Sequence, residues 1–93
     1  MTISDCSRAS GISPGTIRKA IAETDLEASR TGRGRWYILP MALYDWSLRK
    51  WAEGRCSMYP AYWIAGYLVL FHGHELTETL RYILEAEHER RRE

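Results

Sequence analysis

Cysteine is scarce in this 93-residue chain, with only Cys6 and Cys56 present. That excludes a disulfide framework and leaves no cysteine pair at zinc-ligand spacing. An apolar opening stretch is lacking too: Thr2, Ser4, Asp5 and Ser7 stand where an export signal would need hydrophobes. The expected setting is therefore cytoplasmic, with both thiols reduced. Long hydrophobic runs are also missing. The most apolar segment, Ala61 to Phe71, has 11 residues, and as a helix it would span about 17 Å against the roughly 30 Å core of a bilayer. A core or interface helix follows, and no membrane contact is expected. No internal repeat or low-complexity tract occurs outside the charged tail from Glu85 to Glu93.

Net charge is nearly absent at +1, with 45% hydrophobic residues, the makeup of an ordinary globular chain. Residues 1–56 carry nine Lys/Arg against six Asp/Glu, and residues 57–93 carry four against six, giving halves of +3 and −2. A DNA-facing front and an interaction-facing back would produce that sign, as would ordinary solvated faces. Catalytic patterns are lacking. Neither cysteine has an evident activating base. His72 and His74 flank Gly73, with His88 in the tail, but no further cluster completes four ligands, so a helix-ending loop is expected there and no metal or cofactor. Glu75 with Glu78, and Glu85 with Glu89, have the even spacing of solvent-facing helix residues. An enzyme is not expected.

What is present is a run of local start and stop signals. Thr2-Ile3-Ser4-Asp5 has the capping-box form and opens a helix running to about Ser10. Gly11 can supply the positive φ that stops it, Ile12 can plug the space between helices, and Ser13-Pro14 caps a second helix running to about Glu23. Ile17, Ala20 and Ile21 share one face of that helix, leaving Gly15, Arg18, Lys19 and Ala22 on or near the other. Leu26–Arg30 and Arg35–Ile38 suit short strands, and Thr31-Gly32-Arg33-Gly34 has the glycines of a tight reversal. Pro40 opens a third helix carrying Leu43, Trp46, Lys50 and Trp51, which Gly54 ends. A connector through Cys56 and Pro60 leads to an apolar aromatic helix from Ala61 to His72. Gly73 breaks that helix, and a last one runs from Glu75 to about Arg91 with Leu76, Leu80, Ile83 and Leu84 on one stripe.

The front segment combines what duplex recognition needs: cations for phosphates, small or polar side chains where a helix enters a groove, and a core to fix their spacing. Ser13 and Thr16 can bond phosphate or base edges, Gly15 permits close approach, and Arg18 and Lys19 are the contact candidates. Arg18 is the better base reader because its planar fork can grip a guanine edge twice, worth about 1–3 kcal/mol of discrimination. In the hairpin, Arg30, Thr31, Arg33 and Arg35 form a slim basic tip suited to a narrow minor groove. Three hairpin arginines also serve as a solvated edge that discourages sheet pairing.

The order Thr2-Ile3-Ser4-Asp5, then Ala9 through Ile21, then Leu26, Ala28, Arg30, Gly32, Arg35-Trp36-Tyr37-Ile38 and Ala42-Leu43 to Trp46 resembles the excisionase family of winged helix-turn-helix domains, related to the MerR-type DNA-binding domain. The resemblance covers about half of the chain. It implies a mainly α fold with a small β-hairpin: a winged helix-turn-helix over residues 1–56, whose second helix enters the major groove and whose wing contacts the neighbouring minor groove. Such domains occur in phage or mobile-element proteins that direct excision or regulate transcription. Ser13, Thr16, Arg18 and Lys19 take the recognition-helix role, and Arg30, Arg33 and Arg35 the wing role. One departure is Glu23-Thr24-Asp25, where the family commonly has a glycine before the first wing strand; it alters the entry to the wing and sets two acids near the presumed DNA face.

Residues 57–93 lie outside the resemblance. Their aromatics either cover a front core of Ile12, Ile17, Ile21, Leu26, Trp36, Ile38 and Leu43 that is marginal alone, or form a self-association surface. The expected surface comprises Tyr62, Trp63, Tyr67, Leu76, Leu80, Ile83 and Leu84, making a homodimer or higher oligomer on DNA. A recombinase or another regulator is a further candidate partner. The alternative from another class is a protein-interaction module that docks on a host or phage protein through the aromatic C-terminal helices and keeps the winged fold as scaffold.

Overall fold

The computed structural model describes residues 1–92. The protein is mainly helical with one two-stranded antiparallel sheet, in the order α1 (Ile3–Ser10), α2 (Pro14–Ala22), β1 (Ser29–Arg30), β2 (Trp36–Tyr37), α3 (Pro40–Ala52), α4 (Pro60–Phe71) and α5 (Gly73–Arg92). Local chemistry sets most of these limits. Thr2 and Asp5 form both halves of the capping box, and Gly11 ends α1 at φ 75°. All three prolines stand in the first turn of a helix, in α2, α3 and α4, where the missing N–H has no partner to lose. Gly54, at φ 79°, closes α3: its amide donates to Trp51 O at 3.0 Å and the Arg55 amide to Lys50 O at 2.8 Å, the two bonds of a Schellman cap.

The strands are shorter than the sequence pattern predicts, two residues each, with Ser29 opposite Tyr37 and Arg30 opposite Trp36. The flanks of each run go elsewhere. The amides of Asp25 and Leu26 donate to Ala20 O, and Ile38 N donates to Met1 O at 2.7 Å, so neither end is left for the ladder. The break between α4 and α5 also falls elsewhere than the sequence pattern predicts. Gly73 is the first residue of α5, and the break falls on His72 (φ −142°, ψ 53°).

One core runs through the chain. Met1, Cys6, Ile17, Ile21, Leu26, Ile38, Leu43, Tyr44 and Trp46 are buried with Ile64, Leu68 and Ile83, while Ile12 and Trp36 are only partly covered. Helix α4 lies against α1, α3 and α5, and α5 also meets α3. Among the described residues no helix is long and apolar enough to cross a membrane.

Hydrogen bonds from tyrosine to carboxylate join the front and back of this core. Tyr37 Oη donates to Glu75 (2.9 Å), Tyr67 to Asp5 (2.6 Å) and Tyr82 to Asp45 (2.6 Å), and both Tyr44 and Tyr59 donate to Glu87. The bonds to Asp45 and Asp5 bridge 37 and 62 positions. Burial opposes ionisation of Asp5 and Glu87, yet the donated bonds, from Tyr67 and Thr2 to the one and Tyr44 and Tyr59 to the other, hold both carboxyls below their ordinary values. Burial and the facing carboxylate push Tyr37 and Tyr67 up to about 12. The bond to Asp45 and burial do the same for Tyr82.

Stability is therefore bounded on both sides of neutrality. The carboxylate contribution is complete above the ordinary values of 3.8 and 4.5 and fades as pH falls through the depressed folded ones. The tyrosine contribution is complete below 10.0 and fades as pH rises toward about 12. Tyr82→Phe is expected to cost about 1.5 kcal/mol, lowering the neutral-pH melting temperature by roughly 6–12 °C. In thermal melts followed by circular dichroism, its deficit against the parent shrinks as pH rises from 10 toward 12.

Candidate nucleic-acid interface

Helix α2 has one covered and one bare face, as its 3.6-residue spacing dictates. Ile17, Ala20 and Ile21 are buried, while Ser13, Gly15, Thr16, Arg18 and Lys19 are all exposed. At its start the Ser13 hydroxyl accepts the Thr16 amide at 3.3 Å and bonds the Thr16 hydroxyl at 2.9 Å, so the two side chains fix each other at the helix N-terminus. A Cβ added at Gly15 would meet nothing within 4 Å. Nothing within the chain therefore requires glycine at that position.

The hairpin tip is a turn closed by Gly34 N to Thr31 O (2.9 Å) and Thr31 N to Arg35 O (2.8 Å), with Gly34 at φ 77°. Arg30, Thr31, Arg33 and Arg35 are all exposed. Arg30 lies over the Trp36 ring, 4.7 Å from its centroid, which stiffens the stem through a cation–π contact worth about 0.5–1 kcal/mol at an exposed site. Arg33, between the two turn glycines, projects from the end.

The tertiary fold brings part of this set together. A shallow hollow of about 390 Å³ is walled by Thr2, Ile3 and Ser4 from the start of α1, Arg18 from α2, and Gly34, Arg35 and Trp36 from the hairpin. No acid lines it, and Arg18, Arg33 and Arg35 take part in no ion pair among the described residues. Lys19 faces away, into a second hollow of about 250 Å³ that it shares with Thr16, Glu23, Lys50 and Arg55. It stands 4.0 Å from Glu23, so its charge is partly countered. Arg55 is absent from the residues the sequence singles out. Its signal is a cation directly after the glycine that ends α3, and the fold sets it in the same hollow as Thr16 and Lys19 of α2.

The departure at residues 23–25 also resolves. Thr24 takes the left-handed conformation (φ 59°) that glycine would supply at less cost. Asp25 is partly exposed but engaged, accepting from Trp46 Nε1 at 3.0 Å and pairing with Lys50 Nζ at 3.1 Å and Arg49 at 3.3 Å. The bond from Lys50 leads the contacts that hold its carboxyl below the ordinary value. Of the two acids, Asp25 is countered by two cations, while Glu23, the more exposed, faces only Lys19 at 4.0 Å.

The residues expected to associate copies divide as well. Ile83 is buried, Leu76 packs on the core, Tyr67 is tied to Asp5, and half-buried Trp63 donates to Met58 O at 3.2 Å. Tyr62 (75% exposed), Leu84 (68%) and Leu80 remain open. They line a groove of about 530 Å³ between α4 and α5. Val69, Leu70 and Phe71 extend the exposed apolar surface along α4. As to nucleophiles, Cys6 is fully buried and its thiol is pushed up to about 12 by burial, which keeps it protonated at neutral pH.

Comparison with protein-family models, curated proteins and solved structures finds no match to this chain.

Asp25→Asn keeps an acceptor for Trp46 but removes the charge facing Lys50 and Arg49. We expect a loss of ~1 kcal/mol at neutral pH, at the upper end for a partly exposed pair. The Asp25 contribution is complete above its ordinary 3.8 and vanishes as pH falls through the depressed folded value. Parent and variant melting temperatures should thus differ at pH 7 and converge well below 3.8.

Proposed function

We propose that the protein binds duplex DNA sequence-specifically through a winged helix-turn-helix formed by α1, α2 and the hairpin. In this reading it acts as a phage or mobile-element transcriptional regulator or as an excisionase-like recombination directionality factor. The observation that carries the reading is the acid-free hollow lined by both Arg18 of α2 and Arg35 of the hairpin. A duplex offers phosphates on either side of a groove, and a helix cation beside a hairpin cation is the arrangement that spans them. Gly15 adds support, since glycine early in a helix is unfavourable and no neighbour in the chain demands it.

The mechanism is non-catalytic. Arg18 reads a base edge from the second turn of α2, Ser13 and Thr16 at its start position it against the backbone, and Arg33 and Arg35 enter or follow the adjacent minor groove. Arg30, stacked on Trp36, supports the hairpin, and Lys19 contributes charge more weakly because Glu23 faces it. Two copies associate through Tyr62, Leu80 and Leu84, pairing recognition helices on adjacent half-sites. Excision and transcriptional control share this chemistry and differ in operator layout and in whether a recombinase joins the complex.

A second reading has an observation of its own. Helix α4 carries no charged residue, yet Tyr62, Val69, Leu70 and Phe71 are exposed. An apolar patch of that kind suits a protein partner, making the chain a docking module with the front half as scaffold.

Fluorescence-anisotropy titration against the gene's own upstream DNA and a randomised duplex pool, over a salt series, separates the two. The DNA reading expects binding that favours the upstream sequence and weakens log-linearly with salt, by about 0.9 per phosphate contact. Arg18→Ala/Lys19→Ala should stay folded and lose affinity, at least tenfold where a bidentate base contact is removed. No binding to either duplex at low salt leaves the docking module as the reading. For association, Leu84→Glu sets a charge in the α4–α5 groove, and sedimentation should find it monomeric at concentrations where the parent is dimeric; an unchanged distribution would place the interface elsewhere.

A further inference from the structure

The turn between α4 and α5 carries a cluster that the DNA reading does not use. His72 is the single non-helical residue between the helices, and His74 and Glu75 occupy the first turn of α5. One donor atom from each of the three lies within 4.8 Å of the others. The sequence pattern His-x-His-Glu leaves open whether the carboxylate turns toward the imidazoles. In the fold Glu75 Oε1 stands 3.4 Å from His74 Nε2.

We propose that His72, His74 and Glu75 bind a divalent transition-metal ion, zinc by preference, with water completing the shell. Two imidazole nitrogens and one carboxylate oxygen are donors zinc accepts at about 2.0–2.2 Å, which in a tetrahedron sets neighbouring donors roughly 3.4 Å apart. His74 and Glu75 already stand 3.4 Å apart, and closing the rest of the set from within 4.8 Å needs a side-chain shift of at most about 1.4 Å. His74, with its side chain 76% exposed, is free to supply it.

The other donors are held by the kind of outer contacts that fix metal ligands. Tyr37 Oη donates to the same Glu75 Oε1 at 2.9 Å. His72 Nε2 lies 3.4 Å from Asp5 Oδ2, and Asp5 is itself held by Tyr67 Oη at 2.6 Å and the Thr2 amide at 2.9 Å. The carboxylates outweigh the nearby positive charge: Asp5 and Glu75 supply two negative charges and pair with no Lys or Arg among the described residues, against the Met1 ammonium that both carboxylates attract and about half a positive charge at the start of α5. A hollow of about 240 Å³, bordered by Tyr37, His74, Glu75 and Glu78, leaves the site open to solvent.

The test uses the full chain with any purification tag removed. Cobalt(II) is titrated and followed by visible absorption, zinc is added to displace it, and melting temperatures are taken with and without zinc chloride. We expect one equivalent of cobalt to give the intense d–d bands of four-coordination, zinc to abolish them, and zinc to raise the melting temperature. His74→Ala, which removes an exposed ligand and should leave the metal-free melting temperature unchanged, should bind at least tenfold more weakly. Tyr37→Phe should lose affinity in the range of about 10–100-fold typical of outer contacts. Absence of cobalt bands at millimolar metal, or equal affinity in the parent and His74→Ala, would overturn the proposal. It does not rest on the DNA-binding reading, and its failure would leave that reading untouched.

Discussion

A carboxylate taken out of water must find donors, and a tyrosine hydroxyl taken out of water must find an acceptor. In this fold each answers the other. Five of the six tyrosines donate to four carboxylates, and the partners belong to different elements: β2 with α5, α3 with α5, and α4 with α1. The front segment contributes too few apolar residues to close a core alone, so Ile64, Leu68 and Ile83 must arrive from behind. Hydrophobic burial draws those helices in without specifying their register. The directional bonds of Tyr37, Tyr44 and Tyr82 to α5 supply that specification.

The same bonds govern surface charge. Asp5, Asp25 and Asp45 of the front half are engaged by Tyr67, by Trp46 and Lys50, and by Tyr82. Their charges are met by partners within the fold, while Arg18, Arg33 and Arg35 are exposed and have no acidic partner among the described residues. A formal +1 therefore understates how basic the α2 and hairpin surface is. Spending acids inside to leave cations outside serves any polyanion-facing protein, because local potential and not net charge steers association.

Legibility in the sequence tracks the range of the interaction. Thr2 with Asp5, Gly11, Ser13-Pro14 and Pro40 act within four residues, and the helix starts they predict are present. The bare face of α2 followed from periodicity. The strands came out shorter because Met1 and Ala20 compete for their flanking backbone groups, and no local pattern encodes such competition. Glycine propensity misplaced the α4–α5 break by one residue, since His72 tolerates a conformation outside the helical region without positive φ. The sharing of one hollow by Arg18 and Arg35 and the approach of Asp5 to His72 depend on packing between distant elements, so composition and spacing are silent about both.

Beyond Tyr37, which ties β2 to Glu75, the tip of the hairpin stands apart from this tightly cross-linked frame. The hairpin has two paired positions, one stacked arginine and a glycine-closed tip, and the side chains of β1 are exposed. Fraying the tip from Thr31 to Arg35 would break two turn hydrogen bonds and leave the buried cluster in place, so its local opening free energy lies far below that of global unfolding. Its amides should exchange with solvent much faster than those of α3 or α4. A low-stability finger on a rigid body can follow the width of whatever surface it meets, and the ordering it undergoes there is a cost charged to binding and not to folding.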